Sequence, residues 1–181
     1  MTLPAPVASL WKRLQDVRAE VLAEVELLSQ RQADWKPGEA RWSVGEIVDH
    51  LTLAEVATGK LTTKLLKEAA AGSAPAIFPH DVTEFPDLPA DPATSAEAPP
   101  VVWPAHGKPF AELLAAMNAA RERSRESIER LATCDPRALR FKHFRLGDLD
   151  LAQWWILQAR HDGIHLAQIR DVKRSPGFPG A

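Results

Sequence analysis

His161 and His165 stand four residues apart in an unbroken stretch, Leu149 to Ile169, that holds no proline and whose apolar residues repeat at helical spacing. On a helix, residues i and i+4 lie one above the other on the same face. At about 100° per residue, Trp154, Leu157, His161, Ile164, His165, Gln168 and Val172 share that face, while Gln153, Arg160, Gly163, Ala167, Arg170 and Arg174 point away. Two neutral imidazoles one turn apart can grip a single metal ion, at about 2.0–2.1 Å for zinc. The alternative is a core stripe in which each imidazole finds its own hydrogen-bond partner. A third ligand would separate the two.

A third inward imidazole comes from an earlier helix. Ser43-Val44-Gly45-Glu46 has the S-x-x-E form of a capping box, which marks a helix start. Beyond it, Ser43, Glu46, Ile47, His50, Leu53, Ala54, Ala57, Leu61 and Leu65 share one face, so His50 points toward a core. Three imidazoles around one cation form the pattern of a catalytic metal site that keeps a fourth position open. Four more residues are candidates for supporting roles. Glu46, one turn before His50, could hydrogen-bond a ligand, although its capping role also explains it. Gln168 could bond a ligand or a substrate, or be a buried structural amide. Trp154, on the His161 face, and Trp103, in a loop with Phe85, could line a pocket.

These residues need elements to position them, and the periodicity predicts four helices. Val7, Leu10, Leu14, Val17, Val21, Val25 and Leu28 place the first at about 6–32, opened by Pro4 and Pro6. The second runs from Ser43 to a C-cap at Gly72. Phe110, Leu113, Leu114, Met117, Ala120, Ile128 and Leu131 place the third at about 108–133, ended by Asp135-Pro136. Its run Arg121 to Glu126 alternates in charge and reads as a solvated face. Asp150, with Gln153 three residues on, caps the fourth, which runs to about Lys173. Residues 72–107 hold eight of the fifteen prolines and fit no long helix. Loops of this length within a domain are uncommon and often functional. Their His80 and His106 read as solvent-exposed. No strand and no repeat is predicted. The expectation is one all-α domain over residues 1–181, a four-helix bundle with one long crossover, whose facing helices can hold a metal in the core.

Composition removes several function classes. Net charge is −2 with no basic half, which argues against nucleic acid as the main partner. No segment approaches the ~18 apolar residues of a membrane span, so no membrane partner is expected. Met1 to Pro6 lacks the basic and apolar regions of a signal peptide, and the single Cys134 cannot form an internal disulfide. Both point to the cytoplasm. No glycine-rich nucleotide loop occurs.

Taken together, these motifs resemble the DinB-like, or YfiT-like, superfamily of metalloenzymes. The matching pieces are Trp42-Ser43 through Glu46, His50-Leu51 and Glu55; Phe144, Gly147-Asp148-Leu149-Asp150 and Trp154; and His161-x-x-x-His165 followed by Gln168-Ile169. Asp150 stands where the family often has Thr or Ser, which keeps the cap. The resemblance implies an up-down-down-up bundle, often a homodimer. It implies a divalent metal (nickel, zinc, iron or manganese) on His50, His161 and His165, and a low-molecular-weight thiol in some members. Gly163, inside the H-x-x-x-H turn, lowers helix propensity by ~1 kcal/mol relative to Ala, and suits close approach of a neighbouring element or a partner subunit.

Two classes of function follow. The first is a metal-dependent enzyme acting on a small molecule, either a thiol-dependent S-transferase or a hydrolase, the two differing in which nucleophile takes the open position. Family analogy favours the transferase. The second is a non-catalytic metal-binding or stress-response protein that keeps the fold. A Cys-His or Ser-His-Asp hydrolase is a weaker third reading, since nothing in the sequence places a His against Cys134.

Overall fold

The computed structural model describes residues 2–72, 77–90 and 98–180. In chain order its elements are α1 (Ala5–Val25), a short α2 (Gln30–Asp34), α3 (Val44–Ala71), α4 (Phe110–Leu131), the strands β1 (Arg140–His143) and β2 (Gly147–Asp150), and α5 (Leu151–Arg174). The helix starts follow the sequence signals. Proline occupies the first turn of α1, where a backbone N–H would lack a helical partner anyway. Ser43 and Glu46 close a capping box on α3, with the Ser43 amide donating to Glu46 Oε2 at 2.7 Å. Asp150 and Gln153 do the same on α5.

Two expectations need correction. The first helix stops at Val25 rather than near residue 32. Ser29 opens a separate helix, α2, through its own capping box with Gln32, and Leu27 in the intervening turn is 91% exposed. Strands are also present: β1 and β2 form an antiparallel hairpin, His143 opposite Gly147, where none was expected. Gly147 has φ +76°, which a turn of this kind requires. The His143 ring holds the turn by accepting the Arg145 and Leu146 amides at Nδ1.

Pairings between helices fix their directions. Arg18 meets Asp162 and Glu24 meets Arg170, so α1 and α5 run parallel. Asp49 meets Lys108 and Glu55 meets Arg121, so α3 and α4 run parallel. His50 meets His161 while Thr62 meets Trp155, so α3 and α5 are antiparallel. The bundle is therefore up-down-down-up. A 28-residue α3 is about 40 Å long. Its parallel neighbour α4 can begin only after the chain has returned that distance, which accounts for the long connection.

Two apolar clusters fill the bundle. One gathers Val21, Val25, Leu51, Met117 and Leu166; the other gathers Leu10, Leu14, Leu65, Ile128 and Trp155. Between them, on all four long helices, lies a layer of charge: Arg18, Glu55, Arg121 and Asp162, each at most 5% exposed. Arg18 reaches both Glu55 (2.9 Å) and Asp162 (2.8 Å). Arg121 reaches Asp162 at 3.1 Å and the Leu14 carbonyl, and its Nε faces Glu55 Oε1 at 2.8 Å. Arg121 thus leaves the solvated face that the charge alternation predicts, because one residue of such a run must fall on the helix's inner side. The buried stripe of α5 is likewise turned by about one residue from expectation. Ala152, Trp155, Ala159, Asp162, Leu166 and Ile169 face the core, Gln153 is buried, and Ile164 is 53% exposed. The two histidines of α5 flank the core instead of lying at its centre.

Candidate metal centre

His50 on α3 and His161 and His165 on α5 meet at the groove between those antiparallel helices. The Nε2 atoms of His50 and His165 lie 3.0 and 3.1 Å from that of His161. His50 is 3% exposed, and the other two are half-buried. The reason for convergence is local: residues i and i+4 of α5 stack on one face, and α3 crosses that face at His50.

The outward nitrogens are tied down. His50 Nδ1 donates to the Val102 carbonyl at 2.7 Å, in the segment that crosses from α3 to α4. His165 Nδ1 donates to the Gln168 side-chain oxygen at 2.7 Å. An imidazole that donates from Nδ1 in its neutral form has a bare Nε2. His50 and His165 therefore both aim lone pairs at His161 Nε2, which can carry at most one hydrogen toward two acceptors. Burial holds all three rings neutral. It lowers His50 and brings His161 down to about 2 and His165 to about 4, with neighbouring imidazoles adding to the effect on the latter two.

This donor set fits a divalent cation. Ligand imidazoles must be neutral and oriented by a second hydrogen bond, as these are. Tetrahedral zinc with N–metal distances near 2.05 Å sets its nitrogens about 3.3 Å apart, close to the two spacings found here. Ligand atoms of all three residues lie within 4.8 Å of one another.

Other expected residues divide. Gln168 orients the His165 imidazole. Glu46 serves its cap and also holds Lys36 at 3.1 Å, with His106 at 3.6 Å. Burial pushes its carboxyl up, but the Ser43 amide and Lys36 outweigh this and lower it. Trp103 stands by the site, 52% exposed. Trp154 packs instead on the hairpin, its Nε1 donating to the Phe141 carbonyl and its ring 5.1 Å from that of His143. Phe85 lies over α1 and α5 with Pro6, Leu10 and Ile156. Two features carried no readable role in the sequence. The Val102 carbonyl is a backbone group in a loop. Trp42, whose ring stacks on His165 and tilts against His50 at 4.8 Å, was visible as the residue before a helix cap and in the family resemblance, neither of which placed it against the imidazoles.

The sequence model of the DinB superfamily matches residues 13–169. The chain belongs to the DinB superfamily. That span includes all three histidines, both long-helix capping boxes and the crossover. Uncharacterized protein YuaE of Bacillus subtilis (strain 168) is 25% identical over 161 residues, covering 87% of this chain and 93% of YuaE. The crystal structure of TT2238, a four-helix bundle protein, superposes with a TM-score of 0.60 at 20% identity, over 91% of this chain and 98% of that one. The likeness extends over the whole bundle. Among the described residues no helix is long and apolar enough to cross a membrane.

Proposed function

We propose that His50, His161 and His165 hold one divalent cation and that the chain is a metal-dependent enzyme of the thiol-transferase kind. The observation that carries the reading is the convergence of the three Nε2 atoms, with the flanking rings fixed as lone-pair donors by Val102 and Gln168. A bound cation would supply Lewis acidity toward the thiol or water that takes its open position. The chain's own contribution is placement. Val102 and Gln168 set the ring planes, and Trp42 closes one side of the site. From the crossover, the buried Val102 packs against His50.

In the transfer itself, a small thiol gives its proton to solvent, its sulfur bonds to an electrophilic carbon, and the leaving group departs with its electron pair. Thiol and water must each lose a proton, and bound metal would ease either loss, but free water is by far the weaker acid. The carboxylates closest in sequence to His50 are engaged: Glu46 with Ser43 and Lys36, and Asp49 with the Ala105 amide and Lys108. This supports a thiol, which ionises far more readily than water, over hydrolysis.

The test is elemental analysis of the purified protein beside His50→Ala and His161→Ala, followed by thiol consumption with a panel of electrophiles. The expected result is about one divalent metal per chain, lost in both variants, and metal-dependent thiol consumption. Absence of metal even after reconstitution with zinc or nickel overturns the site. Metal without thiol consumption, but with ester or amide cleavage, moves the reading to a hydrolase.

A further inference from the structure

The backbone on both sides of Trp103 is anchored. Immediately before it, the Val102 carbonyl accepts the His50 Nδ1–H. Two residues after it, the Ala105 amide donates to Asp49 Oδ2 at 2.9 Å, and Lys108 closes on both Asp49 oxygens at 2.9 and 2.8 Å. Pro104 stiffens the link between the two anchors. Asp49 is 4% exposed, so the carboxylate end of this anchor is buried, while the Lys108 side chain that meets it stays 43% exposed. Trp103, between the two anchors, is nonetheless 52% exposed. Trp103 meets the edge of Trp42 at 6.2 Å and 83°, and Trp42 in turn stacks on His165. Two indoles at right angles thus form a corner against two of the three imidazoles. Large aromatic surface left open, rigid and next to a polar site is what a ligand pocket presents.

We propose that this corner receives a flat apolar group, an aromatic ring or similar planar hydrocarbon, carried by the substrate next to the atom that meets the metal. The inference rests on the metal reading above. An indole pair can also hold an organic cation. Here three neutral ligands would leave the ion's charge uncompensated, which disfavours a cation beside it and favours a neutral ring.

The experiment uses cobalt(II)-loaded full-length protein, titrated with imidazole and with 4-phenylimidazole. Binding is followed by the cobalt absorption bands and by tryptophan fluorescence. The wild type is expected to favour the phenyl compound by about tenfold, the upper end of what one aromatic pairing contributes. Trp103→Ala should reduce that preference to about threefold or less while cobalt content stays at the wild-type level, and Trp103→Phe should retain it. Because the replaced ring is half in solvent, neither variant should disturb folding. A phenyl preference equal in wild type and Trp103→Ala, or no preference in the wild type, overturns the corner alone. A wild type that takes up no cobalt overturns the metal reading and this one with it, and is seen before any ligand is added.

Discussion

His161 lies between two imidazoles whose outward nitrogens are both committed, one to a backbone carbonyl and one to Gln168. The two commitments differ in what a substitution can reach. Val102 contributes through its backbone, so side-chain replacement leaves its carbonyl in place. Gln168 contributes through its side chain. Gln168→Ala should therefore leave the fold intact and lower metal affinity by about 10–100-fold, the usual effect of losing a partner behind a ligand, read by competition against a chelator. Affinity equal to wild type would mean that α5 alone orients His165. Cys134 presents the opposite case, a reactive residue type in an inert place. It is 6% exposed, and burial together with Asp135 raises its thiol pKa. Thiolate is then scarce at neutral pH, and iodoacetamide at pH 7.5 should label it at least about tenfold more slowly than in the denatured chain, as followed by mass spectrometry. Labelling at the denatured rate would restore Cys134 as a candidate nucleophile.

Helix α5 shows what periodicity does and does not convey. Its ends were legible, because Asp150 and Gln153 form a local signature that needs no knowledge of the rest of the fold. The His161 and His165 pair was legible for the same reason. Its buried face was not, because the assignment gave full weight to apolar residues and none to Asp162, which is fully buried. A carboxylate goes inside only when cations from other helices meet it. Arg18 and Arg121 are 144 and 41 residues away in sequence. The same long-range pairing buries Glu55 and draws Arg121 inward. This layer joins α1, α3, α4 and α5 at one level and sits one residue from His161. Removing one charge leaves the others unbalanced in a low-dielectric interior, so Asp162→Asn should destabilise the protein by about 3–5 kcal/mol, measured by urea unfolding. A loss under 1 kcal/mol would show that the layer is wetter than its burial implies. Gly163 invites the opposite change. A Cβ there would meet Val17 Cγ2 of α1 at 3.8 Å, an ordinary contact, so this neighbouring element still leaves room for a methyl group. Gly163→Ala should stabilise the helix by up to about 1 kcal/mol and raise Tm by about 2–4 °C. A fall in Tm would mean the space is needed by something other than α1.

At the scale of the whole molecule, the up-down-down-up order makes the crossover part of the candidate site. Joining the parallel helices α3 and α4 obliges a long return, and the return passes over His50, delivering Val102 and Trp103 to the site. Its length and proline content were readable; where it lands was not, because the contacts are backbone groups and a buried Asp49. The hairpin was missed because its strands are four residues each, β1 is largely exposed, and β2 buries Leu149 beside Asp150, leaving no apolar alternation to read. Packing three neutral imidazoles into this bundle also sets how the metal-free protein responds to acid. In the unfolded chain each would take a proton near its ordinary value of about 6.5; in the folded chain His165 waits until about 4 and His161 until about 2. Between those limits the unfolded state binds more protons, so stability falls as pH drops below about 6.5, by up to about 1.4 kcal/mol per pH unit for each imidazole. His165 ceases to contribute below about pH 4 and His161 only near pH 2. Urea unfolding of metal-free protein from pH 7.5 to 4.5 should show this loss, and His161→Leu, which cannot take up the proton, should show a shallower slope. Adding zinc should hold the wild-type curve higher at pH 7 and lose that advantage toward pH 5, as protons displace the metal from the same nitrogens. Equal slopes for wild type and His161→Leu would mean that His161 already takes its proton within the fold, and that the centre is open to water in a way its burial does not allow.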